Sequence, residues 1–224
     1  MPERIRETVM DGLGLITIVV GIDQALAATR PPLTTLIDSA AAGGVPILIV
    51  LGSVVIGGIL GELMRIEDGL AAVGARLKRR FGRDESRFTE GFVVASLVFC
   101  VGPLTILGSI RDGLSGDFSL LAIKAMLDGF AALAFASALG WGVGFSVITI
   151  LVYQGGLSLA ASAVAGAVAD PASSPAIAAV TAAGGVLIVS IGLRLLRVRE
   201  VRVGNLLPAL LLAPVVVLAI ERVA

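Results

Sequence analysis

Seven stretches of this chain run for about twenty residues with almost no charge, and that recurrence limits the fold more than any motif does. They lie at about 9–28, 45–63, 91–110, 119–139, 142–168, 177–194 and 204–220, each near the ~20 residues an α-helix needs to cross ~30 Å of hydrocarbon. Inside a bilayer every backbone N–H and C=O must be paired within the protein, so single runs of this kind are read as helices. Composition agrees: 57% of residues are apolar and only 15% charged, against about a quarter charged in a soluble domain. Mean hydropathy is +1.01. The expected fold is all-α: a polytopic membrane bundle of about seven segments, forming one integral membrane domain over 1–224. A cytoplasmic amphipathic segment is expected at about 64–90.

Charge sets orientation more than chemistry. Seventeen basic and seventeen acidic residues cancel, and there is no histidine and a single cysteine. Zinc sites and histidine-based triads lose their usual residues, and no phosphate loop or nucleotide fingerprint occurs. Asp128 has no second membrane carboxylate with which to work as an aspartyl protease. No enzyme activity and no cofactor are expected. With the N-terminus inside, thirteen basic residues fall on the cytoplasmic side and three outside, Lys124 lying within a segment; the positive-inside rule then places the C-terminus outside. The expected location is the cytoplasmic membrane. Arg65, Arg76, Lys78, Arg79, Arg80, Arg83 and Arg87 are interleaved with acids, and 66–81 has amphipathic spacing, as in a helix lying near anionic headgroups rather than a nucleic-acid patch. Near the N-terminus, Ala25-Leu26-Ala27 imitates a signal-peptidase site, but Glu3, Glu7 and Asp23 argue for a retained helix.

Two polar interruptions stand inside apolar runs at 100–129. Gly102-Pro103 must kink or break its helix, because proline brings no N–H and clashes with the preceding turn. It is either a packing kink or a discontinuous helix lined by Cys100, Thr105 and Ser109. Lys124 and Asp128 sit i, i+4 on one helix face and can pair. Alone, each costs about 2.5–3.5 kcal/mol at a helix centre, so they mark either a solute path or a buried pair. Asp117 reads as a turn residue and N-cap. Tyr153-Gln154-Gly155-Gly156 reads as a second lining, with the glycine pair opening the backbone, and Asn205 as a cap or lining residue. Most glycines read as packing faces. A weak alignment of 9–21 with 180–192 matches Val9, Gly14 and Gly21 to Val180, Gly185 and Gly192, in segments of opposite direction, as an inverted repeat would.

Several blocks carry a resemblance: P-E-R-I-R-E-T at 2–8, T-I-V-V-G-I at 17–22, G-E-L-M-R-I-E at 61–67, F-C-V-G-P at 99–103, G-L-S-G-D-F-S-L-L-A-I-K-A-M-L-D at 113–128 and G-N-L-L-P-A-L-L-L-A at 204–213. Through them the whole chain resembles the YqgA/YdfK-like family of bacterial and archaeal membrane proteins of unknown function. The resemblance implies a multi-pass cytoplasmic-membrane protein and no established activity. It also implies a further Gly-rich helix before the P-E-R motif, where this sequence has Met1.

The leading expectation is a small secondary transporter or channel. Its path would be lined by Lys124, Asp128, Gly102, Pro103, Cys100, Thr105, Ser109, Tyr153, Gln154 and Asn205. The alternative is a non-transporting scaffold or sensor that binds a partner through 63–90. The expected partners are the lipid bilayer, an unidentified small solute or ion and a second copy of the chain, with no nucleic acid.

Overall fold

A computed structural model describes residues 3–35, 44–81, 87–101, 103–163 and 174–222. Among the described residues there is no strand, and the helices follow in order: α1 (Glu3–Ala25), α2 (Val45–Met64), α3 (Ile66–Phe81), α4 (Phe88–Val101), α5 (Pro103–Ser115), α6 (Ser119–Leu139), α7 (Ser146–Ala163), α8 (Pro175–Leu195) and α9 (Ala209–Glu221). Short 3₁₀ turns stand at Leu26–Thr29, Leu33–Thr35, Trp141–Phe145 and Val203–Leu206. Six of the described segments are long and apolar enough to cross a membrane, or seven if α4 and α5, bent by 60° at their junction, make one crossing.

Burial is arranged for a lipid solvent. α4 is buried all round, with Phe92, Val93, Val94, Ala95, Ser96 and Leu97 in succession inside, and α8 buries Ala179, Ala182, Ala183 and Leu187 completely. The outer helices turn large apolar side chains outward: Leu63, Phe130, Leu133, Leu151 and Leu159 are among the most exposed residues. In water such a surface would aggregate; against acyl chains it costs nothing.

Glycine sets the closest helix pair. α1 and α8 run antiparallel, with Gly14 opposite Gly192 and Leu196, and Gly21 opposite Gly185 and Val189. A Cβ at Gly21 would lie 2.6 Å from the Val189 amide nitrogen and 2.9 Å from the Gly185 carbonyl oxygen. Only hydrogen fits there, so the backbones approach as in other small-residue membrane interfaces. The weak sequence alignment equates Gly14 with Gly185 and Gly21 with Gly192. Any two antiparallel helices in this register would make both contacts, so they do not bear on that alignment. α2 and α9 also cross antiparallel, Gly57 on Ala209 and Gly61 on the Asn205 backbone.

Neighbours show how α4 and α5 travel. Ser96 of α4 meets Thr149 early in α7, and Gly113 of α5 meets Ser158 and Ala161 late in α7. In the opposite direction, α6 puts Leu121 on Gly108 and Leu139 on Gly91. The pair therefore advances past α7 in a single direction instead of turning back. Fourteen residues of α4 rise about 21 Å, and the thirteen of α5, tilted by 60°, add about 10 Å. Along the α4 axis the sum is about 31 Å, comparable with a hydrocarbon thickness of about 30 Å.

Some sequence expectations change. α7 is continuous through Tyr153-Gln154-Gly155-Gly156, so the glycine pair does not open the backbone. A missing side chain removes nothing from the amide ladder, and Gly155 and Gly156 lie on an exposed face with open space around them. The expected segment 142–168 begins with the Trp141–Phe145 turn and its helix ends at Ala163; 164–173 lie outside the described residues. The amphipathic segment is α3, with Glu67 and Asp68 in its first turn and Lys78, Arg79 and Arg80 in its last, an order that suits the helix dipole.

Candidate functional site

In an uninterrupted helix the Phe99 carbonyl would accept the amide hydrogen of residue 103. That residue is Pro103, which has none. α4 stops at Val101 and α5 starts at Pro103, while Gly102 lies outside the described residues. The freed carbonyl accepts two other bonds: Lys124 Nζ donates at 2.8 Å and Thr105 Oγ1 at 3.0 Å. Lys124 is only 6% exposed, and its ammonium meets the negative end of the α4 dipole. One turn further along α6, Asp128 forms an ion pair with it. The charged residue inside α6 thus answers a donor missing from α4.

Other expected residues gather at this break. Cys100 is buried and within electrostatic reach of Lys124 and Asp128, and Tyr153 of α7 is within electrostatic reach of Cys100. Ser96, not foreseen from sequence, donates to Thr149 at 3.0 Å across the α4–α7 contact. α5 and α7 run parallel, and one turn before the Gly113–Ser158 contact stand Ser109 and Gln154. Ser109 Oγ and Gln154 Nε2 are both buried without a hydrogen-bond partner among the described residues. Buried polar atoms are nearly always paired, so each of these two is an atom that ordered water would satisfy.

Asn205 stands elsewhere. Its Oδ1 accepts the Glu67 amide hydrogen at 2.8 Å, capping α3 from a distant part of the chain, and its Nδ2 donates to Glu62 at 2.6 Å. Glu67 also accepts from Arg194 at 2.6 Å and from the Gly204 amide at 2.9 Å, while Arg202 donates to Glu62 at 2.5 Å. This cluster pins α3 and the end of α2 to the end of α8 and the Val203–Leu206 turn. Its Glu62, Glu67, Gly204 and Asn205 lie in the G-E-L-M-R-I-E and G-N-L-L blocks, but neither block shows that they meet, and Arg194 and Arg202 lie outside both. Asp117 accepts the Ser119 hydroxyl and amide hydrogens just outside the N-cap Phe118. Those bonds, with Arg111 nearby, hold its carboxyl below the usual carboxylate range.

Among the described residues no three His, Cys, Asp or Glu side chains converge as metal ligands. A crevice of about 280 Å³ opens between α1, α2 and α8, lined by Ala25, Ile47, Val50, Leu51, Val54 and Val186 among others. It is apolar and separate from the polar break.

Fold and site together define a multi-pass integral membrane protein with a discontinuous helix whose end is capped from a neighbouring helix. The chain belongs to the family described as "Protein of unknown function (DUF554)", whose model matches residues 1–218. It is 32% identical over 216 residues to "Uncharacterized membrane protein YdfK" of Bacillus subtilis (strain 168), covering 96% of this chain and 85% of that protein. Against "Uncharacterized protein YqgA" of Escherichia coli (strain K12) it is 29% identical over 219 residues, covering 95% and 84%. No solved structure matches.

Proposed function

We propose that this protein is a small secondary transporter or channel, whose path follows the α5–α7 seam past the α4–α5 break. One observation carries the reading: a carbonyl freed at membrane depth is held by a buried ammonium, Lys124 Nζ to Phe99 O at 2.8 Å. Beside it, Ser109 and Gln154 offer unpaired polar atoms. Broken helices and intramembrane charges are where membrane transporters bind solutes and ions. In this reading α1 runs outward, α2 inward and α4–α5 outward, and the Glu62–Glu67–Arg194–Arg202 cluster faces the cytoplasm with α3. The N-terminus is then inside and the C-terminus outside the cytoplasmic membrane. The inverted-repeat relation of α1 and α8 rests on the alignment of 9–21 with 180–192 alone.

The test is uptake of a panel of labelled small solutes into proteoliposomes under imposed ion gradients. Lys124→Met and Asp128→Asn should each abolish the flux that the unaltered protein supports; unaltered rates would remove the pair from the mechanism. A second reading, a scaffold or sensor, is favoured by the way Glu67 and Asn205 fasten α3 to the bundle. A partner captured only when α3 is intact, with no solute flux, would select it.

A further inference from the structure

The end of α4 is built as a cation site. The Phe99 carbonyl, the Thr105 hydroxyl and the Asp128 carboxylate all engage one positive charge or its acceptor, and the negative end of a helix dipole adds to them. In broken-helix transporters, unwound carbonyls and helix C-terminal ends of this kind coordinate Na⁺ or H⁺. Here the charge belongs to Lys124, a side chain that cannot diffuse away but can give up a proton.

We infer that the α4–α5 break is a cation site which the chain fills with its own amine, so that the cation exchanged there is a proton and not Na⁺ or K⁺. This rests on the transport reading for its purpose, naming its coupling ion, but not for its measurement. The step balances within the pair: an N–H bond of Lys124 breaks, an O–H bond forms on Asp128, and a neutral amine faces a neutral carboxyl. Asp128, the less buried of the two with 24% of its side chain exposed against 8% for Lys124, is the member that then hands the proton to a water admitted along the proposed path. A neutral amine holds the Phe99 carbonyl more weakly than an ammonium does, which frees the end of α4 to move. The other titratable group within electrostatic reach of the pair is Cys100 of α4, and Tyr153 of α7 is in turn within reach of Cys100. On α5, Arg111 and Asp112 stand at the far end, Arg111 near Asp117; on α1, Asp23 is engaged by Arg30; the Trp141–Phe145 turn carries no titratable side chain.

Cys100 is the single cysteine of the chain and sits beside the break, so its alkylation reports opening. The full-length protein and Lys124→Arg would be reconstituted in lipid vesicles and treated with N-ethylmaleimide from about pH 6 to about pH 9.5, in sodium chloride and in choline chloride of equal ionic strength. Arginine keeps its charge over this range, and thiol reactivity rises with pH in both proteins. The ratio of their rates therefore reads the break. Losing the Lys124 charge would by itself leave less thiolate and lower the ratio, so a rise of about tenfold with pH, equal in sodium and choline, reads opening of the break. A flat ratio, or protection of the unaltered protein by sodium, overturns the inference. If Lys124→Arg does not fold, Lys124→Met serves as the permanently uncharged reference. The unaltered protein should then approach its rate as pH rises, and a constant gap between them overturns the inference equally. No solute is needed, so a pH-dependent ratio supports the proton site even where flux is absent and the transport reading fails.

Discussion

Pro103→Ala should make Lys124 less important, and the size of that effect follows from two bonds. In the native chain the Phe99 carbonyl has Lys124 and Thr105 as donors, at 2.8 and 3.0 Å. Replacing Lys124 and Asp128 together, by Met and Asn, removes the charge-assisted bond without stranding a carboxylate. Hydrogen bonds within membrane proteins average a few tenths of a kcal/mol and reach about 1.7, while those to charged groups reach about 1.5–3 kcal/mol. A cost of about 2 kcal/mol is expected. Alanine at 103 restores an amide that the same carbonyl can accept, so on that background the same double change should cost about 1 kcal/mol or less. The coupling energy, about 1 kcal/mol, is read from a mutant cycle of unfolding free energies in mixed detergent micelles. Equal costs on the two backgrounds would refute the claim that Lys124 serves the carbonyl that proline orphans.

Gly21→Ala, whose Cβ meets the α8 backbone at 2.6 Å, should cost about 1–3 kcal/mol by overpacking, whereas Gly12→Ala, with nothing within 4 Å, should be neutral or stabilise by up to about 1 kcal/mol; thermal unfolding of the two variants checks the contrast. Asn205→Ala should lose about 1–2 kcal/mol and loosen α3, seen as faster protease cleavage at its basic end. Asn205→Asp should be worse, because it sets a third carboxylate beside Glu62 and Glu67. Alkaline phosphatase fused after Glu221 should be active and green fluorescent protein in its place dark; the reverse pair would overturn the outward C-terminus.

Much of the bundle is legible in the residues because the bilayer leaves a run of apolar residues so few choices. The i, i+4 spacing of Lys124 and Asp128 shows that they can pair, and Pro103 shows that some carbonyl loses its donor. What joins those facts is the level at which α6 packs on α4 and α5, set by contacts such as Leu139 on Gly91 and Leu121 on Gly108, and no local pattern encodes it. Asn205 was legible as a capping residue, but the helix it caps lies 138 positions away in sequence. Glu62 and Glu67 read as acids interleaved among the basic residues of 65–87, because their partners, Arg194 and Arg202, arrive only when the end of α8 and the chain after it fold back. Tyr153-Gln154-Gly155-Gly156 misleads for a different reason: two glycines lower helix propensity, yet a helix flanked by hydrocarbon has no water to compete for its amides.

The claim that a polar path runs along the α5–α7 seam is tested most directly at Ser109. A cysteine placed there, with Cys100 replaced by alanine, would be exposed to a membrane-impermeant maleimide in sealed, oriented vesicles, beside a control cysteine at the lipid-facing Leu133. Labelling at 109 and none at 133 is the predicted result. If 109 is as inert as 133, the buried hydroxyl has no route to water, and the break is a packing device and not a path.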